Sequence, residues 1–116
     1  MIKEFNINIS EEQISNIKSK IDSYPWSSIE NMEGWTHGTN KKYLKELCDY
    51  WVSEFDWKKH ENLINSFLNY KTKVDGIDIH FIKEQGSGEN PKTLLLMHGW
   101  PGSFIEFLEI IKPLAH

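Results

Sequence analysis

The sequence predicts an α/β chain, helical in its first half and sheet-forming in its second, and three observations predict it. Apolar residues recur at helical spacing in three stretches before residue 69. Asp75-Gly76 separates two alternating runs, the signature of a tight hairpin. The apolar run Leu94-Leu95-Leu96-Met97 stops at a Gly- and Pro-rich turn, after which helical spacing resumes.

The elements follow in order. Phe5, Ile7 and Ile9 alternate with Asn6 and Asn8, which predicts a short extended segment with one buried face. Ser10 and Gln13 have the spacing of a capping box, and Ile14, Ile17 and Ile21 continue as a helix over about 11–22 that stops before Pro25. Residues 23–40 carry Pro25, Gly34 and Gly38 with Trp26 and Trp35 among them, so this long loop must pack through its own aromatics. Asn40 is placed to cap a second helix with Tyr43 or Leu44, Leu47, Cys48, Trp51 and Phe55 on one stripe. Asp56 is placed to cap a third, over about 57–68, and core packing is the expected role of these aromatics.

Tyr70, Thr72 and Val74, then Ile77, Ile79 and Phe81, flank Asp75-Gly76 as two strands of a type I′ hairpin, with His80 on the polar face. Residues 86–91, Gly-Ser-Gly-Glu-Asn-Pro, lack the spacing of a phosphate cradle and read as a linker. A buried-type strand is expected over 93–97. The last helix carries Phe104, Phe107, Leu108 and Ile111, and Pro113 is expected to end or kink it.

Composition narrows the functions. The 116 residues suit one domain or a piece of one, and five Trp, four Tyr and six Phe provide material for a core. A net charge of −4 argues against a nucleic-acid surface. All 13 basic residues are Lys, so the bidentate clamps that Arg forms on phosphate and carboxylate do not occur. Cys48 stands alone, which excludes an intrachain disulfide and a cysteine-based metal cluster, and with five scattered histidines no metal or cofactor is expected. No apolar run has the ~18–20 residues that span a bilayer, and the start of the chain has no secretory leader pattern. No membrane anchor and a cytoplasmic location are therefore expected.

The candidate chemistry lies at His98-Gly99-Trp100-Pro101. A glycine and a proline at the end of an apolar run make a sharply turned backbone that fits two roles: a structural corner, or a fixed N–H aimed at a developing oxyanion. Pro101 has no N–H, so Trp100 is the donor in the second role. Ser103 follows a glycine, but Pro-Gly-Ser-Phe-Ile is not a nucleophile elbow, and Ser103 reads as a helix N-cap.

Nearly the whole chain resembles the N-terminal region of microsomal-type epoxide hydrolases, a branch of the α/β-hydrolase superfamily that includes the juvenile-hormone epoxide hydrolases. The resemblance runs through Phe5–Ile9, Gly34-Trp35, Tyr43–Leu47 with Tyr50-Trp51, and Phe55–Lys58. Its most specific stretches are Tyr70–Ile82 and His98–Phe107. It implies a two-step opening of epoxides to vicinal diols: an Asp attacks an epoxide carbon while tyrosines assist the oxygen, and a His-activated water then hydrolyses the ester. It also implies that His98, Gly99, Trp100 and Pro101 form the oxyanion-hole turn, with Trp100 N–H as donor and a cis Trp100–Pro101 bond.

On this resemblance residues 1–110 are the epoxide hydrolase N-terminal region. Residues 1–69 form a helical wrapping segment, and 70–116 begin a truncated α/β-hydrolase core with a hairpin, a third strand and a first helix. The nucleophile, the His with its acid, and the lid tyrosines match no position here, and Tyr24, Tyr43, Tyr50 and Tyr70 are not the catalytic ones. The third strand belongs between two later strands, so 93–97 has no native neighbour in these residues. Three expectations follow: an inactive N-terminal portion whose epoxide substrate binds only in a complete enzyme, a non-catalytic module completing a separate C-terminal catalytic half, or a functionless remnant.

Overall fold

The computed structural model describes residues 1–28, 30 and 34–116, which divide into two compact units, Ile9–Trp57 and Met1–Asn8 with Lys58–His116.

In the first unit, α1 (Glu11–Asp22) and α2 (Lys41–Ser53) pack against each other. The capping box is present: Ser10 Oγ accepts from Gln13 N at 3.2 Å, and Ser10 N donates to Gln13 Oε1 at 3.1 Å. Asn40 Oδ1 accepts from Tyr43 N at 3.0 Å while its amide donates to Gly34 O at 3.2 Å, so one side chain starts α2 and closes the loop before it. That loop does pack on its aromatics, with Tyr24 edge-on to Trp26 and Trp35 tilted on Tyr43. Residues 29 and 31–33 of the expected loop lie outside the described residues.

The expected core packing of the α2 aromatics is not observed. Tyr43, Leu47, Tyr50 and Trp51 are 44–50% exposed, and no described residue of this unit is buried. The apolar faces of α1 and α2 instead line an open groove of about 620 Å³, walled by Ile14, Ile17, Leu47, Tyr50, Trp51 and Trp57. Amphipathic stripes specify which face is apolar, and whether that face is covered depends on what packs on it.

In the second unit, β1 (Lys3–Glu4), β2 (Asn69–Val74) and β3 (Ile77–Ile82) form an antiparallel sheet in the order β1-β2-β3. The hairpin has the expected register, Val74 opposite Ile77, and its turn residues Asp75 and Gly76 have φ of 50° and 83°. A type I′ turn needs both positive values. The N-terminal segment alternates as expected, Phe5, Ile7 and Ile9 half-buried and Asn6 and Asn8 exposed. It is tied down by Phe5 N to Asn69 O at 2.9 Å and by a two-way bond between Ile7 and the Asn65 amide.

α3 (Trp57–Asn65) ends three residues earlier than the expected 68. Asn69 stops it: its Nδ2 donates to Ile64 O at 2.9 Å and Phe67 O at 2.8 Å, satisfying carbonyls that a longer helix would have used internally. The buried residues among those described gather at this corner: Glu61, Ile64, Phe67 and Asn69. Glu61 is ion-paired with Lys58 at 2.8 Å.

Two expectations of the sequence are corrected in the rest of this unit. No strand forms over 93–97, and Leu94, Leu95 and Met97 are 64–79% exposed. A strand exists through its ladder, and among the described residues nothing pairs with this run. Pro113 does not end the last helix but lies within α4 (Leu108–Ala115). It falls in the final turn, where removing one N–H costs a single bond, and His116 N still reaches Lys112 O at 2.9 Å. The α/β architecture, helices followed by a hairpin and an incomplete sheet, is otherwise as expected. Among the described residues no helix is long and apolar enough to cross a membrane, and no group of three His, Cys, Asp or Glu is placed to hold a metal.

Candidate functional site

Gly99, Trp100, Pro101 and Gly102 close a four-residue turn, with Gly102 N donating to Gly99 O at 2.8 Å. The Trp100–Pro101 bond is cis, as the resemblance implies. In a four-residue turn the N–H of the second residue takes no part in the closing bond. Here that is Trp100 N–H, which has no acceptor among the described residues, and Trp100 is 96% exposed.

The sequence past the turn builds its support. Ser103 caps a 3₁₀ turn over Phe104–Phe107: its Oγ accepts from Ile105 N at 3.4 Å, and its own N–H donates to Glu106 Oε1 at 3.3 Å. Ser103 is therefore a cap, as expected. The reciprocal partner Glu106 was legible as Ser-x-x-Glu but is not among the expected site residues. His98 Nδ1 lies 3.3 Å from Gly99 O, beside the carbonyl that closes the turn. A Cβ at Gly102 would overlap Glu106 Oε1 and come within 3.0 Å of Gly99 O. Gly102→Ala should therefore expel the Glu106 carboxylate from its cap and lower stability by about 1 kcal/mol, the usual size of a lost cap. Urea denaturation reads this, and Glu106→Gln, which retains an acceptor, should lose much less.

The structure brings a second group to the turn that sequence reasoning placed wrongly. His80 is not on a polar face. Its ring is half-buried between Phe5, at a centroid distance of 5.8 Å, and Phe104, at 4.7 Å, both edge-on. Its Nε2 lies 2.9 Å from Asn69 Oδ1. Asn69 spends both Nδ2 hydrogens on carbonyls, so its oxygen faces His80, and the His80 Nε2 carries the proton. No local pattern announces this, because residues 5, 69, 80 and 104 meet only through the fold.

Burial, and secondarily the Lys71 ammonium on the facing strand, hold the His80 pKa below its ordinary 6.5. Lys71 is itself seated over the Phe5 ring, 3.6 Å from its centroid. Between the lowered folded value and 6.5 the unfolded chain binds more protons than the folded one, so stability rises with pH across that window. The contribution is complete above 6.5 and lost as pH falls toward the folded value. The thermal midpoint of the wild type should therefore drop more steeply than that of His80→Gln as pH is lowered from about 7 to about 5. Parallel curves would show that His80 does not carry the effect.

The family model for the epoxide hydrolase N terminus matches residues 2–107. The chain is 41% identical over 118 aligned positions to epoxide hydrolase 1 of Oryctolagus cuniculus, covering 98% of this chain and 26% of that protein. It is similar to the solved structure of Aspergillus niger epoxide hydrolase, with a TM-score of 0.85, 29% identity, and coverage of 97% of this chain and 30% of that one. It is likewise similar to the juvenile hormone epoxide hydrolase of the silkworm Bombyx mori, with a TM-score of 0.81, 31% identity, and coverage of 94% and 27%. The chain thus spans about a quarter of the length of the relatives it matches in sequence.

Proposed function

Because this chain belongs to the epoxide hydrolase N-terminus family, we propose that it is the N-terminal portion of an enzyme that hydrolyses epoxides to vicinal diols through an alkyl-enzyme ester. The observation that carries the reading is the unengaged Trp100 N–H on a turn closed by Gly102 and braced by the Ser103–Glu106 cap. When water attacks the ester, negative charge develops on the former carboxylate oxygen. A donor already fixed in place stabilises that charge without having to reorganise. His98, Gly99, Trp100 and Pro101 are the oxyanion-side turn in this reading, and no cofactor is needed because proton transfer and charge stabilisation suffice for both steps.

Within these 116 residues there is a donor and no matched nucleophile, so the chain alone turns over no epoxide. The half-exposed α2 stripe, the groove beside it and the unpaired run at 93–97 support a catalytic remainder that packs on this chain. The same surfaces serve whether that remainder follows in the same polypeptide or arrives as a separate half. The lone Cys48 suits a cytoplasmic, reducing setting.

The test is diol formation from a styrene-oxide-type substrate by the 116-residue chain alone and by the chain joined to or mixed with its catalytic remainder. Turnover is expected only in the second case. Turnover by the chain alone, or none by the combination, overturns the reading.

A further inference from the structure

We propose that His80 is the positioning residue of the Gly99–Gly102 turn: its ring, oriented by Asn69, is the wall that seats Phe104 and so sets where Trp100 N–H lies. The proposal rests on the reading of that N–H as the oxyanion donor.

The turn needs such a wall. Among the described residues no ladder pairs with 91–99, so backbone bonding does not hold the turn to the sheet. Downstream, α4 is anchored at its far end, where Ser87 N donates to Ala115 O at 3.0 Å and Glu84 meets His116 at 3.2 Å. At the near end, the ring contact between Phe104 and His80 at 4.7 Å ties the segment to β3. Phe104 directly follows the capping Ser103, and Ser103 directly follows the glycine that closes the turn. A displaced Phe104 ring therefore carries the cap and the turn with it.

The wall is itself held. Asn69 is 4% exposed, and its backbone carbonyl takes Phe5 N while its amide takes two carbonyls at the end of α3. That leaves Oδ1 in one direction, and the His80 Nε2–H follows it at 2.9 Å. The imidazole plane is thus set by the best-buried corner of the unit and passed to the turn through one ring contact. Oxyanion donors act over a narrow range of about 2.7–3.1 Å, so small displacements of the turn matter.

Two variants separate the wall from the bond. His80→Gln retains a donor toward Asn69 and loses the ring. His80→Phe retains a ring for Phe104 and leaves Asn69 Oδ1 unpaired. In ¹H–¹⁵N spectra of the 116-residue chain, His80→Gln should shift the Trp100 and Gly102 amides strongly. His80→Phe should leave them near their native positions although it is the less stable of the two. Amide shifts that follow stability, an unmoved Trp100 in His80→Gln, or a His80→Gln chain too unstable to give a dispersed spectrum each overturn the proposal.

In the enzyme formed with the catalytic remainder, His80→Gln should slow ester hydrolysis about tenfold, the scale expected of a sub-ångström misplacement. Alkylation should change less, because the oxyanion develops in hydrolysis. His80→Phe should restore most of the hydrolysis rate. Equal slowing of both steps overturns the positioning role. Absence of any turnover by the unsubstituted enzyme would instead defeat the proposed function, and the spectra would still decide the role of His80.

Discussion

Replacing Asn69 by Ala should lower the stability of the sheet unit by about 3–4 kcal/mol, more than any cap or turn substitution considered above. The side chain makes three bonds from a site 4% exposed: to Ile64 O at 2.9 Å, to Phe67 O at 2.8 Å and from His80 Nε2 at 2.9 Å. Removing it takes the amide partner from Phe67 O and from the His80 imidazole N–H, and leaves Ile64 O with Phe67 N alone at 3.2 Å. Each unsatisfied buried group costs about 1–3 kcal/mol, with partial relief where water enters. Asn69→Asp is the sharper control. It retains an acceptor for His80 and puts a single carboxylate oxygen against both carbonyls, so it should be at least as damaging above the Asp pKa and recover in part as the pH falls and one O–H donor returns. The midpoint and slope of urea denaturation measure both, and a loss below about 1 kcal/mol for Asn69→Ala would mean that water replaces the amide.

On the proposed function, Trp100→Pro should slow hydrolysis of the alkyl-enzyme ester by about 10²–10³-fold in the enzyme formed with the catalytic remainder, which corresponds to about 2.7–4 kcal/mol of transition-state stabilisation. The substitution deletes the one N–H in question. Proline suits the second position of a turn, since its fixed φ is near the value required there, so the closing bond from Gly102 N to Gly99 O is retained. Trp100→Ala separates side chain from backbone, because it deletes the exposed indole and retains the donor. The ratio of hydrolysis rates between the Ala and Pro variants isolates the N–H. A ratio near one in single-turnover kinetics would remove Trp100 from the oxyanion hole and leave His98-Gly99-Trp100-Pro101 as a structural corner.

Local chemistry was the legible part of this chain. Ser10 with Gln13, Asn40 before Lys41 and Asp75-Gly76 each specify an element through bonds or dihedrals spanning four residues or fewer, and each element stands where the sequence put it. The turn at Gly99–Gly102 and the cap at Ser103 belong to the same class. What resisted reading was non-local. The end of α3 depends on a side chain four residues beyond it, turned back to Ile64 and Phe67. His80 was misplaced because alternation along β3 says which face a residue occupies and not what covers that face; Phe5 and Phe104 cover it from opposite ends of the unit. Leu94–Met97 has the composition of a buried strand, but burial and pairing come from neighbours and not from the run itself.

Sequence by itself determined the helices through their caps and stripes, the hairpin through its turn, and the family through its specific stretches. It also located the turn that carries the unengaged Trp100 N–H. Only the tertiary structure decided that the apolar stripe of α2 stays half-exposed, and that Asn69 meets His80 and His80 meets Phe104 beside the turn. The physical reason is range. Caps and tight turns are closed by bonds a few residues apart, whereas burial, strand pairing and side-chain orientation are settled by groups that only the folded chain brings together.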